Sequence, residues 1–251
     1  MLIFVGLAFY VKTQKLKSRS WVQPLEIVIY PMNSRHNQNV EAYISQLDSA
    51  AFEEIDLFFK DEAEHYNLTI EHPISTRLGS IIHNYPPPPP ISKTSLIETV
   101  LWSIKFRYWA YKNTPDDKSN LHRVRIFVHY HEALENTRLQ HSLGLDNGLL
   151  SIIHAFASAD QEQQNNIVIA HEFLHTVGAT DKYNANNQPI FPDGYAEPDK
   201  QPLFPQLKAE IMSAKIPTSY TQSKMADSLK HCIIGSKTAT EINWLSPASH
   251  L

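Results

Sequence analysis

The sequence predicts a mixed α/β (α+β) domain, in which strands and helices come first and an irregular C-terminal part follows. Residues 25–30 (LEIVIY) are mostly apolar and β-branched, as in a buried strand. Residues 40–66 place apolar side chains at helical spacing. Residues 184–220 are rich in proline and lack periodicity. The 251 residues can bury one complete hydrophobic core, and the sequence contains no internal repeat.

The elements of the first half follow from local patterns. Residues 40–66 form one long amphipathic helix, or two helices with a break near Asp48. Residues 68–82 contain short β-like pieces, and the five prolines at 86–90 predict a stiff polyproline spacer. A helix then runs through residues 101–110, where the aromatic side chains are typical of core packing.

The second half is predicted to carry two strands and two helices. Thr94 or Ser95 can cap the helix that runs through residues 101–110, just before this half. In order, the predicted elements are a strand over residues 122–131, a strand over residues 149–157, a helix from Asp160 that Gly178 ends, and a last helix over residues 239–244.

The composition excludes several classes of protein. A formal net charge of −4 argues against broad electrostatic binding to nucleic acid. The single cysteine, Cys232, excludes an intrachain disulfide and a cysteine-based zinc site. The chain has 13 histidines, so that only the spacing of histidines, and not their presence, points to a metal site.

The first 20 residues predict attachment to a membrane. Residues 1–11 (MLIFVGLAFYV) are uncharged and apolar, and the basic residues of a linker follow them. As a helix this segment spans about 16 Å, which suits a signal-like or anchor segment better than a full span. We therefore predict a membrane-associated, extracytoplasmic protein with a single domain over residues 21–251. The positive-inside rule, taken literally, places the domain in the cytoplasm instead, and a buried first strand is the alternative to an anchor.

Residues 171–183 read HEFLHTVGATDKY and carry the strongest chemical signal. His171 and His175 are four apart on a predicted helix, so both imidazoles project from one face and can hold Zn²⁺. Glu172 follows the first histidine directly and can act as a base beside the metal. Gly178 permits the turn that brings back Asp181, whose carboxylate is the third ligand. Three protein ligands leave one position open, as in catalytic zinc sites.

This motif resembles the signature of the metzincin clan of zinc peptidases, HExxHxxGxx(H/D) followed by a methionine turn. Asp181 as third ligand and Tyr183 two residues later are similar to the snapalysin-like proteases. Residues 210–213 (EIMS) are the candidate methionine turn, in which Met212 is implied to lie beneath the metal without coordinating it. About 30 residues separate Asp181 from Met212, more than the resemblance predicts.

The resemblance implies a zincin/metzincin-like fold, with a mixed sheet, an active-site helix and an irregular C-terminal subdomain. It implies metal-ligand roles for His171, His175 and Asp181 and the general-base role for Glu172. It also implies that an antiparallel edge strand before the active-site helix binds substrate in extended form, and residues 149–157 occupy that place in the sequence. An ordinary core strand is the alternative for these residues.

Other residues are weaker candidates. Tyr183 or Tyr220 can stabilise the oxyanion of the tetrahedral intermediate, or can simply pack. Glu197 or Glu210 is an alternative third ligand. His129 and His131 also share one face of a predicted strand and can bind metal, although the sequence shows no third ligand for them and a solvated strand face is the alternative. The residues that are alternatives to the main site are therefore Tyr183, Tyr220, Glu197, Glu210, His129 and His131.

These observations predict a zinc-dependent endopeptidase with Zn²⁺ as its cofactor and a peptide or protein as its substrate. Glu172 deprotonates the metal-bound water and returns the proton to the leaving amine. One alternative is a zinc-stabilised, membrane-attached binding or assembly protein with a vestigial peptidase site. Another is a hydrolase that acts on a non-peptide amide, because the motif indicates a mechanism and not a substrate.

Overall fold

The computed structural model describes residues 13–14, 16–33, 35–90, 96–114, 123–133, 143–145 and 149–246. Within them a five-stranded sheet forms the centre of a mixed α/β fold, with strand order β2-β1-β3-β5-β4. Strands β2, β1, β3 and β5 are parallel, and β4 pairs with β5 in the antiparallel direction. The strands of this sheet are β1 Leu25–Met32, β2 Ile74–Leu78, β3 Arg123–His131, β4 Leu143–Leu145 and β5 Leu150–Phe156.

The α-helices lie before, between and after these strands. Residues 13–14 and 16–18, before β1, are helical, and the other helices are α1 Gln38–Ile44, α2 Glu53–His65, α3 Leu96–Asn113, α4 Glu162–Thr176 and α5 Ser236–Glu241. The C-terminal part adds two small ladders, one between β6 Ala209–Glu210 and β9 Cys232–Ile233, and one between β7 Lys215–Pro217 and β8 Ser223–Met225. Most of the chain between α4 and α5 is irregular, as the sequence predicts.

Side chains alternate along the strands and give the sheet two buried faces. On one face, Val128 of β3 belongs to a large core with Phe59 of α2 and Phe173 of α4. On the other face, Phe127 of β3 packs with Phe106 of α3 in a smaller core. Burial on both faces explains why residues 126–128 of β3 form an unbroken apolar run. Helix α4, which carries the motif, therefore lies on the face opposite to α3.

Residues 40–66 form two helices, which is the second of the two predicted arrangements. The side chain of Asp48 accepts a hydrogen bond from the backbone N–H of Ala50, 2.9 Å away, and so begins a short 3₁₀ turn over Ser49–Phe52. An aspartate at this position favours a new helix start over continuation of the old one. Asn37 caps α1 in the same way.

The strand over residues 149–157 is present as β5, but the expectation that it is the antiparallel edge strand is wrong. β5 lies between β3 and β4, and it is parallel to β3. The antiparallel edge strand is β4, which is only three residues long. A hydrophobic pattern predicts which residues are buried, but it does not predict the order of strands in a sheet. β4 is also too short to show a hydrophobic pattern of its own.

Two other expectations differ from the structure or fall outside it. The last helix covers Ser236–Glu241 rather than residues 239–244, because it starts directly after Gly235, whose backbone is extended, and ends before Ile242. Residues 1–11, Thr94 and Ser95 lie outside the described residues. Among the helices in the part of the chain that the structure describes, none is both long enough and apolar enough to cross a membrane.

Candidate metal centre

Helix α4 presents His171 and His175 together because its other faces are occupied by the core. Phe173 and Leu174, between the two histidines, are fully buried. One helical turn therefore separates the two imidazoles, whose Nε2 atoms lie 3.1 Å apart. The side chain of His171 is 10% exposed and that of His175 is 17% exposed, so both rings are largely shielded from water.

The helix ends at a glycine that no other residue can easily replace. Gly178 has a φ of +101°, a backbone conformation that L side chains rarely adopt. Its N–H donates to the carbonyl of His175 at 3.0 Å, and the N–H of Ala179 donates to that of Leu174 at 3.0 Å. The guanidinium of Arg19 fills the space where a Cβ of residue 178 would lie. These contacts fix the direction in which the chain leaves the helix.

The turn returns Asp181 to the two histidines. Its Oδ1 atom lies 3.2 Å from His171 Nε2 and 3.1 Å from His175 Nε2. The three predicted ligand atoms thus form a nearly equilateral triangle. An ion held tetrahedrally at about 2.0–2.1 Å from three such atoms separates them by about 3.3 Å. The size of the triangle therefore fits a zinc ion bound by two nitrogens and one oxygen.

Backbone carbonyls fix the orientation of both imidazoles. His171 Nδ1 lies 3.0 Å from the carbonyl oxygen of Ile211, and His175 Nδ1 lies 2.9 Å from that of Ala179. A carbonyl only accepts, so each Nδ1 carries the proton and donates it. In the neutral tautomer each Nε2 carries a lone pair that can bind a metal ion, whereas in the absence of an ion a proton on Nε2 makes the hydrogen bond to Asp181. Such second contacts orient histidine ligands in metal sites.

The charges around the triangle favour a cation. Burial raises the pKa of Asp181, but hydrogen bonds and charge interactions with His171 and His175 outweigh burial and hold that pKa well below its usual range. Burial lowers the pKa of His175, but the hydrogen bond with Asp181, the charges of Glu172 and Asp181 and the hydrogen bond with the Ala179 carbonyl raise it by more, so that the net shift is upward. Two carboxylates, Asp181 and Glu172, therefore act on His175, and a divalent cation would offset their charge.

Glu172 is buried beside the histidines, with 6% of its surface exposed. One of its carboxylate oxygens lies within 4.8 Å of a ring nitrogen of each histidine. The carboxylate is therefore close enough to contact a water molecule that an ion at the triangle would hold.

The segments that flank Asp181 are anchored to helix α5. The backbone N–H and the hydroxyl of Thr180 each donate to the Glu241 carboxylate at 2.9 Å, and Lys182 Nζ donates to it at 2.7 Å. Lys182 is buried, and burial of an unpaired ammonium is costly, so this ion pair holds the chain in place on both sides of Asp181. Sequence reasoning did not find Glu241, because nothing local links it to residue 181.

The candidate methionine turn is a hydrogen-bonded turn beneath His171. Ser213 N and Ala214 N donate to the carbonyl of Glu210 at 2.9 and 3.0 Å, and Met212 is fully buried. Glu210 is also fully buried; its carboxylate accepts from Met212 N at 2.7 Å and from the Thr238 hydroxyl at 2.6 Å. The structure therefore places Glu210 in the turn and not among the ligands.

The tract FPDGYAEPDKQPLFP (residues 191–205) packs onto the same turn. The hydroxyl of Ser213 donates to the carbonyl of Gly194 at 3.1 Å, and Tyr195 is 6% exposed. The Glu197 carboxylate accepts a hydrogen bond from the backbone N–H of Leu207, 3.4 Å away, just after the tract. Glu197 therefore supports the tract locally and lies outside the triangle.

The two tyrosines differ in position. Tyr183 lies beside the triangle, with its ring centroid 6.4 Å from that of His171. Burial, the charge of Asp181 and a hydrogen bond with Asp181 raise the pKa of Tyr183 to about 12. Tyr220 is 82% exposed and packs edge-on against Phe204, with 4.6 Å between ring centroids. Among the described residues, Tyr220 makes no hydrogen bond or ring contact with the three predicted ligands.

The chain matches no protein-family model and no curated protein.

Proposed function

We propose that this protein is a zinc-dependent endopeptidase of the metzincin kind, with His171, His175 and Asp181 as its metal ligands. The triangle of ligand atoms, 3.1–3.2 Å on each side, carries this proposal. Three convergent acceptors repel one another unless a proton or a cation lies between them. The two Nδ1 donors and the anchored flanks of Asp181 hold that arrangement before any ion binds.

The residues around the triangle supply the remaining chemistry. A zinc ion held there would polarise the scissile carbonyl and lower the pKa of its bound water to roughly 7. Glu172 accepts the proton of the attacking water and then donates it to the leaving amine. Tyr183 is the better placed of the two tyrosines to stabilise the oxyanion, because it is next to Asp181 and Tyr220 is not.

We propose that substrate adds to the sheet along β4. This strand packs beside α4, and on its outer side no strand pairs with it among the residues that the structure describes. An extended peptide can pair with such a free edge through backbone hydrogen bonds. We therefore propose that Leu143–Leu145, rather than residues 149–157, form the strand that binds substrate in extended form.

The Glu172→Gln variant tests the proposed base. Glutamine keeps the size of the side chain but cannot accept the proton at neutral pH, so hydrolysis of a mixed peptide library should fall at least about 100-fold while zinc stays bound. Glu162→Gln, at the start of the same helix, is the matched control and should keep full activity. Undiminished hydrolysis by the Glu172 variant would remove the base role from this residue.

Metal analysis of the purified protein tests the ligands. Asp181→Ala should lower the zinc affinity strongly, because it removes one corner of the triangle and leaves the two imidazoles with an open site. Equal zinc affinity in the variant and the wild type would place the third ligand elsewhere. Bound zinc without hydrolysis of any peptide would favour the alternative, a zinc-stabilised binding or assembly protein.

A further inference from the structure

A second group of histidines lies on the other face of the sheet. His129 and His131 are two apart on β3, so their side chains share a face with Phe127. His154 on β5 is the register partner of His129, just as Ile152 is the partner of Phe127. Phe127 and Ile152 both belong to the core under α3, opposite to the face that α4 covers. The three histidines therefore lie together, and on the side of the sheet away from α4.

The three rings are in contact. One ring nitrogen from each of the three histidines lies within 4.8 Å of the other two. His131 Nε2 and His154 Nδ1 form a hydrogen bond of 2.8 Å. The ring centroids of His129 and His131 are 4.3 Å apart, and those of His129 and His154 are 5.4 Å apart. The sequence shows the first two histidines as a pair, and the strand register supplies the third.

Burial keeps these imidazoles neutral at physiological pH. His129 is 6% exposed, and burial, followed by the neighbouring histidines and Arg35, lowers its pKa to about 3. Burial, His154 and Arg35 likewise lower the pKa of His131 to about 4. Burial and Arg35 lower the pKa of His154 as well. Neutral imidazole is the form that binds transition metals, so protons do not compete for this cluster near pH 7.

We propose that His129, His131 and His154 form a second metal site, which takes a divalent transition metal such as Zn²⁺. Three imidazole nitrogens are a donor set that suits zinc, copper and nickel. The ligand atoms must move from separations of up to 4.8 Å to about 3.3 Å, which side-chain rotations on fixed strands can achieve. The site uses no residue of the triangle on α4.

The cluster has a route to solvent. His131 lines a cavity of about 150 Å³ at the carboxyl end of β3, together with Arg35 and Glu132. The Glu132 carboxylate accepts hydrogen bonds from the side-chain amides of Asn37, at 3.1 Å, and of Asn39. A metal ion can therefore reach His131 without opening the core.

A bound ion would join two neighbouring strands of the sheet. His129 and His131 belong to β3 and His154 belongs to β5, so the metal would cross-link β3 to β5 near the end from which the chain passes to α4. Because a metal that binds only the folded state stabilises it, zinc at this site should raise the melting temperature independently of the triangle.

The test counts zinc in a variant that lacks the first site. His171→Ala with His175→Ala removes two corners of the triangle and leaves β3 and β5 unchanged. We expect this double variant to bind about one zinc per chain after dialysis against Zn²⁺, and X-ray absorption of that zinc to show three imidazole ligands. Adding His154→Asn or His131→Asn should abolish this binding, whereas adding His231→Gln, an exposed histidine elsewhere, should not.

The outcomes separate this proposal from the proposed function. A folded double variant that binds no zinc, or binds it with a ligand set other than three imidazoles, overturns the second site and leaves the triangle on α4 untouched. If a His154 or His131 variant fails to fold, the absorption spectrum of the double variant itself still decides, because it reads the ligands directly. Loss of peptidase activity in the double variant is expected in every case and does not bear on the second site.

Discussion

The proposed metal ligand Asp181 is positioned by residues that lie outside the ligand triangle. Its two neighbours in the chain, Thr180 and Lys182, are both bound to the carboxylate of Glu241. Burial raises the pKa of Glu241, but its bonds to Lys182 and Thr180 lower it by more, so this carboxylate stays charged. Glu241 is therefore a positioning residue, which acts on the ligand triangle through the backbone on either side of Asp181.

We predict that Glu241→Ala weakens zinc binding about 10- to 100-fold, in the range found when outer partners of metal ligands are removed. It should also lower the free energy of unfolding by about 3 kcal/mol, because buried Lys182 loses its ion-pair partner and keeps only the neutral oxygens of Thr180. Zinc competition with a chromogenic chelator measures the first effect, and denaturant unfolding measures the second.

Glu64→Ala, an exposed glutamate of α2, is the control and should change neither quantity. Glu241→Gln keeps the acceptor for Thr180 but loses the charge, so its zinc affinity should lie between those of wild type and Glu241→Ala. Wild-type zinc affinity in Glu241→Ala would contradict the positioning role.

From the sequence, only those residues of the candidate site that lie close together along the chain could be predicted to be neighbours. The residues from His171 to Asp181 lie within one helix and its turn, and local spacing was enough to place all of them. Glu241 lies 60 residues from Asp181, and His154 lies 23 residues from His131, so both become visible only when the fold brings them near. Helical and strand periods describe neighbours along the chain and carry no information about such pairs.

At the scale of the elements, helix α2 supports the C-terminal part through Glu62. Its Oε2 atom accepts the backbone N–H of Ile234, 2.7 Å away, and Tyr66 on the same side of α2 donates to the carbonyl of Ile234. Burial, only partly offset by that N–H and by Lys208, raises the pKa of Glu62 to about 7. The folded protein therefore holds a proton on Glu62 more tightly than the unfolded chain does.

This raised pKa predicts a loss of stability as pH rises. Both states are protonated well below pH 4.5, and between about pH 4.5 and 7 the folded state binds more protons, so the free energy of unfolding falls with pH by up to about 3 kcal/mol in total. Glu62→Gln removes this contribution. The variant should match wild type near pH 4 and be the more stable protein at pH 8.

Denaturant unfolding of both proteins in EDTA across this range measures the effect without a contribution from zinc release. The difference between the two proteins is the relevant quantity, because Glu210 and other carboxyls also titrate. A difference that does not change with pH would mean that Glu62 keeps its ordinary pKa in the folded state.

Elements were predicted well where they are long and regular, and less well where tertiary contacts set their limits. β1, β3, β5, α3 and α4 follow from their hydrophobic patterns. The three residues of β4 do not, because their place at the edge is set by pairing with β5. The start of α5 depends on Gly235, which lies against the buried side chain of Glu210.

At the scale of the whole molecule, the two ends of the described domain meet. Trp21 Nε1 donates to the carbonyl of Ile242 at 2.7 Å, and the rings of Trp21 and Trp244 pack edge to face with 5.4 Å between centroids. Trp244 also contacts Phe59 of α2. Residues before β1 thus share the core with residues after α5, and Ser18 is buried along with them.

We predict that Trp244→Ala lowers the free energy of unfolding by about 3–5 kcal/mol, because it leaves a large cavity among Trp21, Phe59 and Tyr66. Trp244→Phe, which refills part of that space, should cost about 1–2 kcal/mol. Urea unfolding monitored by circular dichroism measures both. A loss below 1 kcal/mol in the alanine variant would show that this contact does not hold the two ends together.

Because the contact between Trp21 and Trp244 brings the two ends of the described domain together, a circular permutant of this protein can be designed. A flexible linker can join residues 16 and 246, which keeps Ser18 and Arg19 in the chain, and new ends can be opened within the partly exposed prolines at 86–90. In such a circular permutant, β3, β5 and α4 would be synthesised before β1 and β2. Comparing its folding rate with that of the natural order would reveal whether the half that carries both histidine groups can act as the nucleus for the rest.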